Sequence, residues 1–215
     1  NKKIKIAWDI ANGSMGTVID SFTNHLGSAE HVVINKEVDG TFPNHHPDPT
    51  VPKNMEQLVK TVVSNSCDIG LGFDGDGDRL GVVDNKGNII WADQYMLLLA
   101  KEISNLYENP KIIMDVKSSK VFFDEVKKFN CEPIMYKTGH SPIKEKMKEV
   151  KSPLSGEMSG HICYGDDFYG YDDAMYVGLR LLRILSNEEI SLNELIELYP
   201  KTIATPEIRI DVEEI

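Results

Sequence analysis

The chain has 215 residues, of which 41% are hydrophobic and 27% are charged, and its formal net charge is −11. This composition is typical of a globular protein with enough apolar residues for one large core or two smaller ones. The negative charge argues against nucleic acid and anionic membranes as partners, because both are polyanions. No apolar run approaches the length of a membrane span. A phosphorylated ligand would need local positive charge from a metal ion or a basic side chain.

The three cysteines are Cys67, Cys131 and Cys163. Their number is odd, and their spacing fits no common metal site. They therefore predict reduced thiols in or near the core of a cytoplasmic protein, not a disulfide framework.

The first part of the chain alternates strands and helices. Apolar runs predict strands at residues 3–9, 31–35, 68–73, 80–83 and 89–91, and helical periodicity predicts helices at 18–26 and 55–63. The glycine-rich turn at residues 12–16 lacks the dinucleotide-binding pattern, so we interpret it as structural. We interpret the proline-rich loop at 42–52 as a structural or interface loop. Its adjacent His45 and His46 point in different directions, and no third ligand stands at a suitable spacing.

Three aspartates, Asp74, Asp76 and Asp78, alternate with glycines in the loop between two predicted strands. The glycines permit positive φ, so the loop can curl until the three carboxylates meet. Grouped hard oxygen ligands suit Mg²⁺ or Ca²⁺. The aspartate loop therefore predicts a site for such a cation, and Arg79 directly after it is a second source of positive charge.

Other types of acidic loop require particular residues at fixed positions, and those positions can be checked in this sequence. An EF-hand requires glycine at the sixth position and glutamate at the twelfth, where this chain has Arg79 and Asn85. A plain acidic hairpin turn needs only one Asp-Gly pair. A phosphatase with an aspartate nucleophile would use Asp74 or Asp76, and it remains an alternative.

A second α/β unit is predicted to begin near Asp93. Periodicity predicts helices at residues 94–107, 142–150, 119–129, 172–185 and 192–198, and strands at 111–116, 133–136 and 206–212. The pattern of residues 111–116 repeats that of residues 5–10, which suggests an internal repeat. Ser141 is the predicted N-cap of the helix that Pro142 begins.

Residues 156–161, with the sequence GEMSGH, form a second polar motif. On an extended stretch Glu157 and Ser159 would face the same side, where they could accept and donate hydrogen bonds to sugar hydroxyls. His161 would lie on that face too and is a candidate acid or base. Lys117 directly follows a predicted strand at the sheet edge where ligands bind in α/β proteins, so it is also a candidate.

Both motifs resemble those of a known family. Residues 74–79 resemble the metal-binding loop of the α-D-phosphohexomutases, and residues 156–161 resemble their sugar-recognition loop. Within that superfamily, Met158 and residues 42–49 are similar to the phosphomannomutase/phosphoglucomutase branch. These two features disfavour phosphoglucosamine mutase, which we keep as an alternative.

The resemblance implies a fold of two tandem three-layer α/β domains with mixed sheets. It places the metal-binding loop in a domain of residues 1–92 and the sugar-recognition loop in a domain of residues 93–206, with residues 207–215 beginning a connection to a further domain. Family members have four domains, and the resemblance implies that this chain holds the second and third. The Ser-His-Asn-Pro signature of the phosphoserine domain does not occur in the sequence. We therefore expect the chain to be inactive alone.

The resemblance also implies a mechanism. A phosphoserine would exchange its phosphoryl group with a hexose phosphate, through a hexose 1,6-bisphosphate, and so interconvert hexose 1-phosphate and hexose 6-phosphate of mannose or glucose. The implied Mg²⁺ ligands are Asp74, Asp76 and Asp78. The implied catalytic residues are His161, Arg79 and Lys117. The implied substrate-binding residues are Lys117, His140, Glu157, Met158, Ser159, Gly160 and His161.

The expected partners are hexose phosphates and the first and fourth domains of the same chain, with neither nucleic acid nor membrane. Two other classes of function remain open. One is a magnesium-dependent sugar-phosphate phosphatase, and the other is a sugar-phosphate-binding module without catalysis. No residue in the sequence distinguishes glucose from mannose.

Overall fold

The computed structural model describes residues 3–201 and contains two β-sheets flanked by helices. The first half forms β1 (Lys5–Asp9), α1 (Ile19–His25), β2 (Glu30–Ile34), α2 (Glu56–Asn65), β3 (Ile69–Phe73), β4 (Leu80–Asp84) and β5 (Ile89–Ile90). The second half forms α3 (Ala92–Ser104), β6 (Lys111–Asp115), α4 (Lys120–Lys128), β7 (Glu132–Tyr136), α5 (His140–Val150), β8 (Leu154–Gly156), β9 (Ile162–Tyr164), α6 (Ala174–Asn187) and α7 (Leu192–Glu197). Short 3₁₀ helices cover Ser14–Thr17 and Pro52–Met55.

The two sheets share one topology. Their strand orders are β2-β1-β3-β4-β5 and β7-β6-β8-β9, so β6 occupies the position of β1. In each sheet the first strand pairs in parallel with two neighbours, and the next strand returns antiparallel. The predicted internal repeat and the predicted pair of mixed α/β sheets are both confirmed.

A buried helix, α3, joins the two halves. Nine of its thirteen residues are buried, because it packs against β4 of one sheet and β8 of the other. A helix that is apolar on nearly all sides is typical of such an internal position. The predicted boundary at residues 92 and 93 falls in its first turn. None of the helices between residues 3 and 201 has the length and apolarity that crossing a bilayer requires.

Several predicted element boundaries shift. Helix α3 begins at Ala92, two residues before the prediction, and the Gln94 side chain accepts a hydrogen bond from the Trp91 N–H at its start. Helix α5 begins at His140 with Gly139 as N-cap, so the predicted cap at Ser141 is wrong. The φ of +129° at Gly139 supplies the sharp entry that the serine was expected to provide. The strand predicted at 206–212 lies outside the described residues.

The cysteine prediction agrees with the structure. Cys67, Cys131 and Cys163 are all buried and unpaired. Burial raises the pKa of the Cys131 thiol to about 11 and that of the Cys163 thiol to about 12. These thiols are therefore protonated near neutral pH and pack as small apolar side chains.

Candidate active site

The aspartate loop connects β3 to β4 at the carboxyl end of β3. Asp74 is buried, Asp76 is exposed and Asp78 is half-buried, and one oxygen of each lies within 4.8 Å of the others. Gly77 has φ of +85°, which allows the tight curl between the last two aspartates. The loop thus brings the three predicted metal ligands together.

Asp74 shapes the loop through its own carboxylate. Its Oδ1 accepts hydrogen bonds from the backbone N–H groups of Gly77 (3.0 Å), Asp78 (3.1 Å) and Arg79 (3.1 Å). Its Oδ2 accepts a 2.6 Å hydrogen bond from Arg79 Nε. These hydrogen bonds fix the orientation of the Asp74 carboxylate within the loop.

The electrostatics of the loop favour a bound cation. The pKa of Asp78 is raised to about 6, chiefly by burial and also by the nearby charges of Asp74 and Asp76, which together outweigh the opposing charge of His161. The carboxylates of the three aspartates are therefore crowded together, and protein groups do not neutralise all of their negative charge. An all-oxygen donor set suits Mg²⁺, so the residues present fit that ion.

The turn at residues 12–16, which follows β1, packs against the backbone of the aspartate loop. The Ser14 backbone N–H donates to the Gly75 carbonyl at 2.9 Å, and Ser14 Oγ donates to the Asp76 carbonyl at 3.0 Å. Gly13 packs so closely that a Cβ there would lie 2.7 Å from the Gly75 oxygen. The structural interpretation of this turn is consistent with these contacts, but its role in holding the aspartate loop was not predicted.

The proline-rich loop at residues 42–52 supports Arg79. Asp48 Oδ1 lies 3.3 Å from Arg79 Nη1. Burial raises the pKa of Asp48, but hydrogen bonds from Thr50 and the charge of Arg79 outweigh that effect and hold the pKa below its usual range. His45 Nε2 pairs with the buried carboxylate of Asp9 at 3.0 Å, which agrees with a structural role for the loop. Asp48 was missed because nothing in its local sequence indicates a distant arginine.

The sugar-recognition loop is a tight turn between β8 and β9. The Glu157 N–H donates to the His161 carbonyl at 2.9 Å, and Gly160, with φ of +95°, donates its N–H to the Glu157 carbonyl at 3.0 Å. The predicted extended alternation of Glu157 and Ser159 is therefore wrong. Instead Ser159 Oγ donates to Glu157 Oε2 at 3.2 Å, so the two side chains form one unit. Glu157 is buried, and its Oε1 accepts a hydrogen bond from the Gly139 N–H.

The two loops are hydrogen-bonded to each other. The Leu80 N–H donates to the Gly160 carbonyl at 3.2 Å, and Arg79 and His161 form an antiparallel bridge. The Leu80 carbonyl in turn accepts a hydrogen bond from the buried Tyr95 hydroxyl at 3.0 Å. The metal-binding and sugar-recognition motifs therefore form one continuous surface across the two sheets.

His161 lies where the two loops meet. Its Nδ1 is 3.4 Å from Asp78 Oδ1 and 2.9 Å from Asp172 Oδ2. The imidazole of His140 stacks against it with ring centroids 5.4 Å apart. Burial lowers the pKa of His161, but the carboxylates of Asp172 and Asp78 outweigh burial and leave that pKa raised. Asp172 was not predicted as a site residue, and its backbone bridge to Cys163 is what places it beside His161.

Residues 1–87 match the family model for phosphoglucomutase/phosphomannomutase, alpha/beta/alpha domain II. Residues 91–202 match the model for alpha/beta/alpha domain III of the same family. The chain belongs to the phosphoglucomutase/phosphomannomutase family. The expected family is thereby confirmed.

Individual relatives agree with this family assignment. The chain is 46% identical over 211 residues to a phosphomannomutase/phosphoglucomutase of Pseudomonas putida, covering 98% of the chain and 45% of that protein. It is 43% identical over 213 residues to a phosphoglucomutase of Neisseria meningitidis serogroup A, covering 99% of the chain and 46% of that protein. A crystal structure of a phosphoglucomutase/phosphomannomutase family protein from Burkholderia thailandensis superposes with a TM-score of 0.91 at 40% identity, covering 96% of the chain and 44% of that structure. The chain thus spans about half the length of the relatives that it matches.

Another residue of this family member, Asp115 at the end of β6, holds the sugar-recognition loop. Asp115 is fully buried, and its Oδ1 accepts hydrogen bonds from Ser118 Oγ at 2.8 Å and from the Met158 N–H at 3.3 Å. Its Oδ2 accepts from Thr138 Oγ1 at 3.2 Å. It is the counterpart of Asp9 at the end of β1. The repeated strand pattern contained this residue, but the pattern alone did not indicate that it binds a loop.

The remaining predicted site residues lie at the same edge of the second sheet. Lys117 is exposed on the turn after β6, and His140 is half-exposed at the start of α5. Met158 and Gly160 line a small cleft together with Leu80. The structure thus groups the predicted substrate-binding residues around the sugar-recognition loop.

Proposed function

We propose that this protein is a magnesium-dependent mutase that interconverts hexose 1-phosphate and hexose 6-phosphate of mannose, glucose or both. The observation that carries the proposal is the direct junction of the two loops, in which Leu80 after the aspartates binds Gly160 of the sugar-recognition loop. Relatives above 40% identity are named phosphomannomutase/phosphoglucomutase and phosphoglucomutase, which supports this activity. A junction of a cation loop with a loop for sugar hydroxyls is what transfer of a phosphoryl group on a sugar requires.

The aspartate loop would bind the cation. Asp74, Asp76 and Asp78 would hold Mg²⁺, which when bound would supply positive charge beside the transferring phosphoryl group. Arg79 is held at the same place by Asp74 and by Asp48, so its guanidinium is positioned to balance further negative charge. These charges offset the net negative charge of the chain, which by itself would repel a sugar phosphate.

His161 would act as the acid and base on the reacting hydroxyl. Imidazole is a common acid and base in proteins, and the pKa of this one is raised because the carboxylates of Asp172 and Asp78 outweigh burial. Asp172 and Asp78 stabilise the protonated imidazole, so they favour its return to the charged form after each transfer. We propose a positioning role for Asp172.

The turn at Glu157 and Ser159 would hold the sugar. The carboxylate of Glu157 and the hydroxyl of Ser159 already bond to each other, so they present an acceptor and a donor side by side to adjacent sugar hydroxyls. Lys117 and His140, at the same sheet edge, would contact the substrate. Such a site can accept a sugar in two orientations, as a mutase with a bisphosphate intermediate requires.

We propose that the mechanism uses a phosphoserine outside these 215 residues, because they contain no Ser-His-Asn-Pro signature and the relatives are about twice as long. The chain alone is then expected to bind Mg²⁺ weakly without turning over substrate. A cytoplasmic location is part of the proposal, and it is supported by the three unpaired, buried cysteines.

An amide NMR titration of the 215-residue chain tests the proposal. Mg²⁺ is added first, and glucose 1-phosphate follows, with Asp76→Asn as the control. We expect Mg²⁺ to shift the amides of residues 74–79 in the wild type and not in the variant. We expect the sugar phosphate to shift those of residues 157–161. Shifts by the sugar phosphate elsewhere and not at 157–161 would contradict the assignment of the sugar-recognition loop.

Turnover assays separate the proposed activity from its alternatives. A coupled assay on a chain that also contains the regions flanking the match in relatives is expected to show isomerisation of mannose or glucose 1-phosphate. Release of inorganic phosphate from simple esters by the 215-residue chain, abolished by Asp74→Asn, would favour the phosphatase instead. Tight binding without isomerisation by the longer chain would favour a binding module.

A further inference from the structure

A second cluster of potential metal ligands lies beside the aspartate loop. One ligand atom each from Asp78, His161 and Asp172 lies within 4.8 Å of the others. Of these residues, only Asp78 also belongs to the group with Asp74 and Asp76. The second cluster differs in chemistry, because it contains an imidazole nitrogen where the first contains carboxylates alone.

The side chains of this second cluster lie close together, but two of their polar atoms lack hydrogen-bond partners. His161 Nδ1 lies 2.9 Å from Asp172 Oδ2 and 3.4 Å from Asp78 Oδ1. Nevertheless, both His161 Nδ1 and Asp172 Oδ2 are buried without a hydrogen-bond partner, because the 2.9 Å contact lacks the alignment of a hydrogen bond. The Asp172 side chain is only 7% exposed. Buried polar atoms without a hydrogen-bond partner are rare in folded proteins, and a bound ion is one of the groups that can satisfy them.

The surrounding groups leave those two atoms available. Lys144 Nζ binds the other carboxylate oxygen, Asp172 Oδ1, at 2.8 Å. His140 Nδ1 lies 3.8 Å from Asp172 Oδ2, which is too far for a hydrogen bond. Lys144 therefore fixes the orientation of Asp172 and leaves Oδ2 directed at His161.

We propose that Asp78, His161 and Asp172 form a second cation site, selective for a transition-metal dication such as Zn²⁺ or Co²⁺. One imidazole nitrogen with two carboxylates is a donor set that these ions accept, whereas Mg²⁺ prefers oxygen ligands. A fourth ligand position would be open to water or to a ligand oxygen. A cation in this site binds His161 Nδ1 in place of a proton, so it would inhibit any reaction that requires that proton. Cation binding at this site does not depend on the proposed mutase activity.

Co²⁺ binding to the 215-residue chain in excess Mg²⁺ tests the proposal, because Co²⁺ reports its ligands through visible absorption. Wild type is expected to bind one Co²⁺ per chain under these conditions, with the absorption of a site that contains nitrogen. Asp172→Asn is expected to weaken this binding more than ~10-fold. Asp76→Asn, which removes a ligand of the aspartate loop alone, is expected to leave it unchanged.

Two results would overturn the second site. One is equal Co²⁺ affinity in wild type and Asp172→Asn, and the other is loss of Co²⁺ binding in Asp76→Asn, which would place the ion in the aspartate loop. The Mg²⁺ affinity of Asp172→Asn shows whether that variant is folded. His161→Gln provides a second variant that removes the nitrogen ligand, and unchanged absorption in it would equally contradict the proposal.

Discussion

The backbone N–H of Leu80 donates a hydrogen bond to the Gly160 carbonyl at 3.2 Å, and this contact joins the two polar loops of the molecule. Leu80 is the first residue of the strand after the three aspartates, and Gly160 lies in the turn before His161. Since each loop is fixed to its own sheet, the hydrogen bond sets the distance between the proposed cation and the proposed proton acceptor. A substitution at Gly160 is therefore expected to alter that distance.

Gly160→Ala is expected to disturb this junction. The residue has φ of +95°, and an added Cβ would lie 2.8 Å from the Leu80 carbonyl oxygen. We expect a loss of about 1–3 kcal/mol in the free energy of unfolding, measured by urea denaturation, and weaker sugar-phosphate binding. Gly170→Ala is the control, because Gly170 also has positive φ, +79°, but has open space around its Cβ position. Equal losses in the two variants would show that strain and not the contact with Leu80 decides the effect.

Substitution of Asp74 is expected to destabilise the folded protein more than substitution of Asp76. Asp74 is buried and binds three backbone N–H groups and Arg79, whereas Asp76 is exposed. Asp74→Asn is expected to lower both Mg²⁺ affinity and stability, the latter by roughly 2–4 kcal/mol, because the Arg79 guanidinium loses the nearer of its two carboxylate partners. Asp76→Asn is expected to lower Mg²⁺ affinity with a change in stability below about 0.5 kcal/mol. Calorimetric Mg²⁺ titration and urea denaturation of both variants measure the difference, and a stability loss in Asp76→Asn as large as that in Asp74→Asn would contradict it.

Gly13→Ala is expected to weaken Mg²⁺ binding, although Gly13 is not one of the proposed ligands. An added Cβ would lie 2.7 Å from the Gly75 carbonyl and 2.9 Å from the Asp74 carbonyl, so the aspartate loop would have to move. We expect Mg²⁺ affinity to fall by about 10-fold, as is common when a group that orients metal ligands is disturbed. Gly40→Ala provides the control, because no atom lies within 4 Å of its Cβ position. Unchanged Mg²⁺ affinity in Gly13→Ala would show that the turn does not position the loop.

The pair of His45 and Asp9 predicts a pH dependence of stability. The hydrogen bond to Asp9 raises the pKa of His45, and this effect outweighs the opposing effect of burial. Because the pKa of His45 is higher in the folded state than in the unfolded state, the pair stabilises the folded protein fully below about pH 6.5. This stabilisation is lost as the pH rises through the folded-state pKa. The stabilisation of wild type relative to His45→Gln is therefore expected to be larger at pH 6 than at pH 9, measured by urea denaturation. His46→Gln, at the neighbouring exposed residue, serves as the matched histidine-to-glutamine control.

Much of the fold followed from local sequence patterns. Strands β1, β3 and β6 are largely apolar runs, and the repeated pattern of β1 and β6 predicted two similar α/β units, because period and turn residues are properties of short segments. The clustering of the three aspartates was predictable for the same reason. The glycines between them make a short loop curl regardless of what surrounds it.

The conformation at Glu157 and Ser159 was not predictable from local alternation. Their spacing fits an extended stretch, but the positive φ of Gly160 and its bond to Leu80 convert the segment into a turn. A tertiary contact thus selected one of two conformations that the local sequence allows.

The sequence by itself determined the family, the two sheets and the residue types of the cation and sugar loops, because those features depend on neighbours within a few positions. Only the tertiary structure decided that Asp48 holds Arg79, that Asp115 holds Met158, and that Asp78 and Asp172 meet at His161. These pairs come from separate elements, and a carboxylate in a loop has the same local pattern whether its partner is water or a buried cation. Packing of both sheets against α3 brings Asp78 beside His161 and Asp172, whereas each of the other two pairs forms within one half of the chain.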